Sequence, residues 1–235
     1  MASSLPATLD VPLFPLSGVV LLPHAVLPLR IFEPRYLAML KDAMAHDKLI
    51  GIAQVRPASF VSTAGVEPMP PAVFNVIGVG KIVAHRELDD GTSHIALLGQ
   101  ARCKIGSEIS HEPYRVARVL TLKDELPGEM DARRDFKRQH AEVEAFARKL
   151  IARTMDSLAA ARFYEALDEQ CEAGTLSDLL AGIFVQDCML KQFLLESTGV
   201  LSRLRVLLAV LKKQLQAAQS RPLPMRYDYD EIYLN

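Results

Sequence analysis

The sequence predicts an α+β fold in which a strand-rich half precedes a helical half. Three observations carry this. Short apolar runs punctuated by proline and glycine occupy the chain as far as Lys123. An Asp90-Gly91 dipeptide lies between two alternating runs, which is a strong type I′ hairpin signal. At Asp124–Gly128 the character changes, and from Met130 to Gln219 apolar residues recur at helical spacing. Five or six strands with one helix inserted early fit a closed or half-closed barrel rather than alternating βα units. The expected divisions are a barrel over 9–125, a helical bundle over 126–220 and an extended tail over 221–235.

The chain opens with three apolar runs, Val11–Leu16, Val19–Leu22 and Val26–Phe32. Pro12, Pro15, Pro23 and Pro28 fall in and between them. Proline lacks a backbone donor, so these runs are expected at sheet edges and bends rather than in central strands. Glu33-Pro34 then starts a helix, with Pro34 suited to its first position and Leu37, Leu40 and Met44 on one face. Leu49–Arg56 reads as a buried strand, and the proline-rich stretch from Pro57 to Pro71 as a loop. From Phe74 the strand pattern returns. Gly78 and Gly80 share a face there, which marks a bulge or a close backbone approach.

If Asp90-Gly91 is the turn centre, Glu87 pairs with His94, and His85, Glu87 and His94 share one face. Leu97–Ile109 continues extended, and Tyr114–Leu122 supplies a last strand with Tyr114, Val116, Leu120 and Leu122 on one side. In the helical half, Phe136, His140, Val143, Phe146, Ala147 and Leu150 form the stripe of a first long helix. Met155–Glu172 reads as a second. Thr175 or Ser177 can cap a third, Asp187–Ser197 continues helically, and Val200–Ala218 is the last. Gly174 and Gly199 read as stops. Such helices form an antiparallel bundle, expected to dock on the barrel.

Composition narrows the functional classes. Half of the 235 residues are apolar and 23% are charged, as in an ordinary globular protein. The net charge is −1, with no basic half to act as a nucleic-acid footprint. The N-terminus lacks a basic region followed by an apolar core, so no secretory signal is expected. The Val19–Leu29 run is too short to cross a bilayer. Cys103, Cys171 and Cys188 are widely spaced, with no CxxC pair, which suits reduced thiols in a cytoplasmic protein.

The run LFPL-x-x-VVL-x-P, followed by LPLRIFEPRY and D-x-M-x-x-D (Asp42–Asp47), resembles the start of the N-terminal substrate-binding domain of the Lon protease family. It is most similar to bacterial members consisting of this domain alone. Val76–Ile105 is similar to the family's second signature block, and Pro113–Val119 to its last strand. Leu176–Ala181, Lys191–Glu196 and Arg203-Leu204 resemble its helical part. The resemblance covers roughly Leu9 to Leu211. It implies a PUA-like β-barrel followed by a helical bundle, and a protein- or peptide-binding role without covalent chemistry. A separate protease or chaperone is a further implied partner, and a homo-oligomer is compatible with it.

Catalytic motifs are missing from the sequence. No G-x-x-x-x-G-K-[ST] occurs to cradle ATP phosphates, no G-x-S-x-G elbow, and no Ser–Lys pair in a nucleophile context. No catalytic residue, metal ligand or cofactor is therefore assigned, and the chain is read as a non-enzyme. The His85–Glu87–His94 face is a metal or acid–base candidate, against the plainer reading of a solvated strand face. His24 and His46 flank bends as surface or capping residues. Cys103 reads as a small core residue. Arg133, Arg134, Lys137 and Arg138 form a basic cluster, interleaved with Asp131, Asp135, Glu142 and Glu144. An RNA-binding alternative rests on this cluster and on fold analogy with PUA-like proteins alone. Glu33, Pro34, Arg35 and Tyr36 are the candidate substrate-binding residues. They lie where an extended run meets a helix, and the competing view pairs Arg30 or Arg35 with Glu33 and packs Tyr36 under the barrel. The tail is expected to pack through Tyr227, Tyr229, Ile232 and Tyr233 rather than stay free.

Overall fold

The computed structural model describes residues 5–57, 71–110, 112–155, 160–161, 164 and 171–220. It holds strands β1 (Thr8–Leu16), β2 (Val26–Ile31), β3 (Leu49–Gln54), β4 (Val76–Glu87), β5 (Ser93–Ser110) and β6 (Arg115–Thr121). Its helices are α1 (Pro34–Ala45), α2 (Met130–Thr154), α3 (Ala173–Phe184), α4 (Cys188–Glu196) and α5 (Val200–Ser220). Most of the predicted second bundle helix, the body of the Pro57–Pro71 loop and the tail packing lie outside the described residues. The chain divides into two units. One comprises Met1–Lys123 with Asp187–Glu196, and the other Asp124–Gln186 with Ser197–Asn235. The α4 segment, read from sequence as part of the bundle, thus belongs with the strands.

In the first unit the strands close into a ring. β1 pairs in parallel with β3 and antiparallel with β6; β3–β4, β4–β5 and β5–β6 are all antiparallel. β5 closes the ring because it is long enough to pair with β4 along one part and with β6 over Cys103–Ser110. Among the described residues β2 pairs with β5 alone. Pro28 on β2 therefore sits on an edge strand, as expected. Gly99 N–H donates to the Ala25 carbonyl, so alternation along the ladder turns Leu27 and Leu29 toward β5 and leaves Pro28 facing the open side.

β1 departs from the expectation of an edge strand, since it has neighbours on both sides. The reason is that its two ladders barely overlap. β6 pairs with Thr8–Leu13 and β3 with Leu13–Leu16, so Pro12 and Pro15 each face one partner only. A proline's missing donor costs a ladder bond only where both sides of the strand are occupied at that residue.

Two apolar cores lie on opposite faces of these strands. Val11, Leu13, Ala53, Ile77, Val79, Cys103, Ala117 and Val119 fill the ring interior. Phe14, Ile50, Ile52, Ile82, Ile95 and Leu97 point to the other face, where α1 covers them with Tyr36, Met39, Leu40 and Ala43. Leu37 and Met44, expected in the apolar stripe of α1, are only partly buried beside it. On β6 the buried side chains are Arg115, Ala117 and Val119, so the predicted Val116–Leu120 face is the outer one. The buried Arg115 is satisfied by Glu108 and by the carbonyl of Pro71.

The Val19–Leu22 run is not a strand but a strap across the second core. A Cβ placed on Gly78 would lie 1.8 Å from the Leu21 carbonyl oxygen, and one on Gly99 2.0 Å from that of Leu22. The close approach expected at Gly78 is this crossing, whereas a Cβ on Gly80 would meet the Leu21 side chain at 2.6 Å; a register shift falls between Val79 and Gly80. On the same unit, Asp187 caps α4 through the N–H groups of Met189 and Leu190. Gln192 Nε2 donates to the Val76 carbonyl at 2.9 Å.

In the second unit α5 packs on both α2 and α3. Val143, Ala147, Leu150 and Ile151 of α2 are buried, as are Leu204, Leu207 and Leu211 of α5; Phe136, His140 and Phe146 are only half-buried. Arg203 is 1% exposed and its guanidinium meets Asp178 and Asp124, each at 2.5 Å. Gly174, expected as a stop, is instead the second residue of α3. Any Cβ there would lie 2.0 Å from the Asp124 carboxylate. α3 starts before either predicted cap, and the Ser177 hydroxyl donates to the Gly174 carbonyl from within the helix.

Two stability outcomes follow from these contacts. Gly78→Ala should lower unfolding free energy by at least about 2 kcal/mol in a urea titration, because the added methyl meets backbone rather than a yielding side chain. Gly128→Ala, where a Cβ meets nothing within 4 Å, is the matched control and should change little. Arg203→Leu should cost about 3–5 kcal/mol by leaving Asp178 buried beside an apolar group.

Candidate functional site

The first candidate site is built where β2 runs into α1. The alternation Leu27, Leu29, Ile31 directs those side chains to the core, so Phe32, next in line, points outward and is 64% exposed. Glu33 takes an extended backbone (φ −73°, ψ 133°), as a residue before proline must, and its carbonyl accepts the N–H groups of Tyr36 and Leu37. Pro34 occupies the first turn without wasting a donor.

Of the four residues singled out from sequence, Glu33 and Arg35 meet in a surface ion pair at 2.7 Å, with both side chains largely solvated. Such a pair contributes little stability, about 0–1 kcal/mol. Tyr36 goes the other way. It is 7% exposed, with its ring centroid 4.3 Å from that of Phe14, and the Arg35 guanidinium lies 4.6 Å above it. Burial pushes the Tyr36 hydroxyl above its ordinary pKa. Arg30 turns away to Asp90 at 2.8 Å. The junction therefore presents Phe32, Glu33 and Arg35 to solvent over a buried aromatic base. Phe32 was missed because it reads as the end of an apolar run; strict alternation from Leu27 would have placed it outside.

The hairpin face does not assemble. Leu88 N–H bonds the Thr92 carbonyl and Gly91 N–H the Leu88 carbonyl, so the loop has three residues, with Gly91 at φ +77°. Glu87 then pairs with Ser93 and Arg86 with His94, one step from the expected register. A one-residue slip reverses the faces, so His94 leaves the side shared by His85 and Glu87. His85 Nε2 lies 3.3 Å from the Ser93 hydroxyl instead. Asp90 fixes the turn by accepting from Thr92 N–H and its hydroxyl. Among the described residues no three His, Cys, Asp or Glu side chains converge to hold a metal ion.

Cys103 is fully buried in the ring, and burial pushes its thiol up to about 11, the opposite of an activated nucleophile. His46 caps the end of α1, its Nδ1 2.8 Å from the Asp42 carbonyl. No helix among the described residues is long and apolar enough to cross a membrane.

The basic cluster of α2 surrounds an open hollow of about 610 Å³, lined by Asp131, Ala132, Arg134, Asp135, Arg138 and, from α5, Arg205. Arg138 and Arg205 both grip Asp135, at 2.6 and 2.5 Å. Hydrogen bonds from Arg205 and then Arg138 hold the Asp135 carboxyl down to about 2. Arg134 is 79% exposed and only loosely paired with Asp131 at 3.7 Å. Sequence spacing showed the α2 cations; the contribution of Arg205 comes only from the packing of α5.

The comparisons with known proteins agree with this architecture. A family model described as the ATP-dependent protease La (LON) substrate-binding domain matches residues 10–213. Lon protease 2 of Sorangium cellulosum is 28% identical over 216 residues, which cover 88% of this chain and 25% of that protein. Lon protease 2 of Myxococcus xanthus is 26% identical over 210 residues, covering 86% and 23% respectively. The chain thus spans about a quarter of the length of these relatives. Among solved structures, the N-terminal domain of Mycobacterium avium complex Lon protease superposes with a TM-score of 0.65 at 18% identity, covering 86% of this chain and 98% of that one. A Lon N-terminal domain protein from Xanthomonas campestris gives 0.56 at 22% identity, with the same coverage. Ring of strands, bundle and sequence signature agree, and the chain belongs to the Lon substrate-binding domain family.

Proposed function

We propose that this protein is a non-enzymatic binding module that takes up exposed apolar segments of other proteins in the cytoplasm. Family membership supports a substrate-binding role, and the observation that carries the reading to a place is Phe32. A large aromatic side chain held in solvent by a rigid strand–helix junction loses little conformational entropy on docking, and aromatic anchors of this kind dominate protein interfaces. Glu33 and Arg35 beside it supply a polar rim, and Pro34 stiffens the backbone between them. Tyr36 supports this surface from below through Phe14 rather than touching the bound segment. Binding is reversible burial, with no bond made or broken. Affinity is expected to be micromolar or weaker, since a shallow surface must offset the ordering of a flexible segment.

The test uses a carboxymethylated, permanently unfolded protein as probe and titrates it with the full chain by fluorescence anisotropy. Phe32→Asp should weaken binding by about tenfold, the equivalent of about 1.4 kcal/mol, with an unchanged thermal midpoint. Glu33→Ala should change affinity less than threefold. Equal binding by Phe32→Asp and the parent chain would remove this junction from the site.

A further inference from the structure

The hollow between α2 and α5 remains unused by the reading above. Its lining carries three arginines against two aspartates, and Arg133 and Lys137 add two further cations on the same turns of α2. The arrangement already demonstrates how it holds a carboxylate, because Asp135 sits between Arg138 and Arg205 in the way an incoming acidic side chain would. Each guanidinium has five N–H donors, so this grip leaves donors to spare on both. Arg134 is committed still less, with a single long contact to Asp131.

Apolar side chains are exposed at the start of the same helix. Met130 is 75% exposed and stands one turn before Arg134, on the same side of α2. Leu126 is 67% exposed, on the segment tied to the helix by the bond from Arg133 Nε to the Pro127 carbonyl. These are the two most exposed large apolar side chains among the described residues.

We propose that this surface is a second docking site, one that selects protein segments in which carboxylates alternate with apolar side chains. The proposal rests on the binding-module reading and adds a charge preference to it. Excess guanidinium charge attracts the carboxylates and steers encounter. Met130 and Leu126 cover the apolar side chains between them. A nucleic acid fits less well, because Asp131 and Asp135 would face its phosphates, no aromatic side chain lines the hollow among the described residues, and the ring of Phe136, next to Asp135 in sequence, is stacked on His140.

The experiment titrates the full chain into three labelled heptapeptides, alternating leucine with glutamate, with serine or with lysine, at low salt. A single-stranded oligonucleotide is run beside them. The glutamate peptide should bind about tenfold more tightly than the lysine peptide. Arg134→Glu should abolish that preference, whereas Arg153→Glu at the far end of α2 should leave it intact. Met130→Ser should weaken the glutamate and serine peptides alike. Arg134, Arg153 and Met130 are all exposed, so all three variants should give the circular dichroism spectrum of the parent chain.

If the serine peptide binds as well as the glutamate peptide and Arg134→Glu changes neither, this proposal is overturned while the binding-module reading stands. If no peptide binds while the carboxymethylated protein still does, this proposal alone is overturned; if that probe also fails to bind, both are. If only the oligonucleotide binds, with sensitivity to Arg134→Glu, the surface belongs to nucleic acid and the peptide proposal fails.

Discussion

The strand unit depends on one steric constraint, the passage of the Leu21–Leu22 backbone directly over β4 and β5. Carbonyl oxygens stand where Cβ atoms at Gly78 and Gly99 would be, so no other residue fits at either position. This crossing lets Leu21 enter the outer core beside Ile82 and Leu97, while the ring interior fills from the other face of the same strands. A sheet whose two faces are both buried reads as near-continuous apolar sequence. That accounts for runs such as Leu49–Ala53, which show no amphipathic alternation. It also accounts for α1, which has to cover a face that the ring leaves outside.

Proline placement follows from the same economy of pairing. β1 reaches two neighbours by changing partner at Leu13, so its prolines never face two ladders at once. β2 directs the donor-less side of Pro28 outward, which blunts an edge otherwise open to pairing with another chain. The edge is thus guarded, and the exposed Phe32 and the solvated Glu33–Arg35 pair lie beyond its end.

In the helical unit, charge does what glycine does among the strands. Arg203 is buried against two carboxylates from distant parts of the chain, and Gly174 is small so that one of them can approach. A buried pair of this kind is weak evidence for net stability and strong evidence for a single arrangement, since a misplaced partner leaves a bare charge. On the surface the same chemistry is looser. Asp135 shares two solvated arginines with the hollow around it, so that charge is organised there without being sealed.

Much of this protein was legible in its residues. Pro34 marked the start of α1, Gly78 a close backbone approach and Cys103 a core position. The family signature from Leu9 to Leu211 carried the fold class. Each of these is a local or periodic signal that survives without knowledge of neighbours. What tertiary structure decided is whatever depends on register or on partners remote in sequence. One residue more in the Asp90 turn moved His94 off the face of His85 and Glu87. Ladder overlap made β1 a two-sided strand despite its prolines. Tyr36 turned inward and Phe32 outward, because the direction of a side chain at a junction depends on what packs beneath it. Arg205 joined the α2 cluster only through the packing of α5. Sequence alone determined which elements form, since propensity and period act within a few residues. Which side chains meet was decided by the fold, since a one-residue shift in pairing moves every side chain to the opposite face.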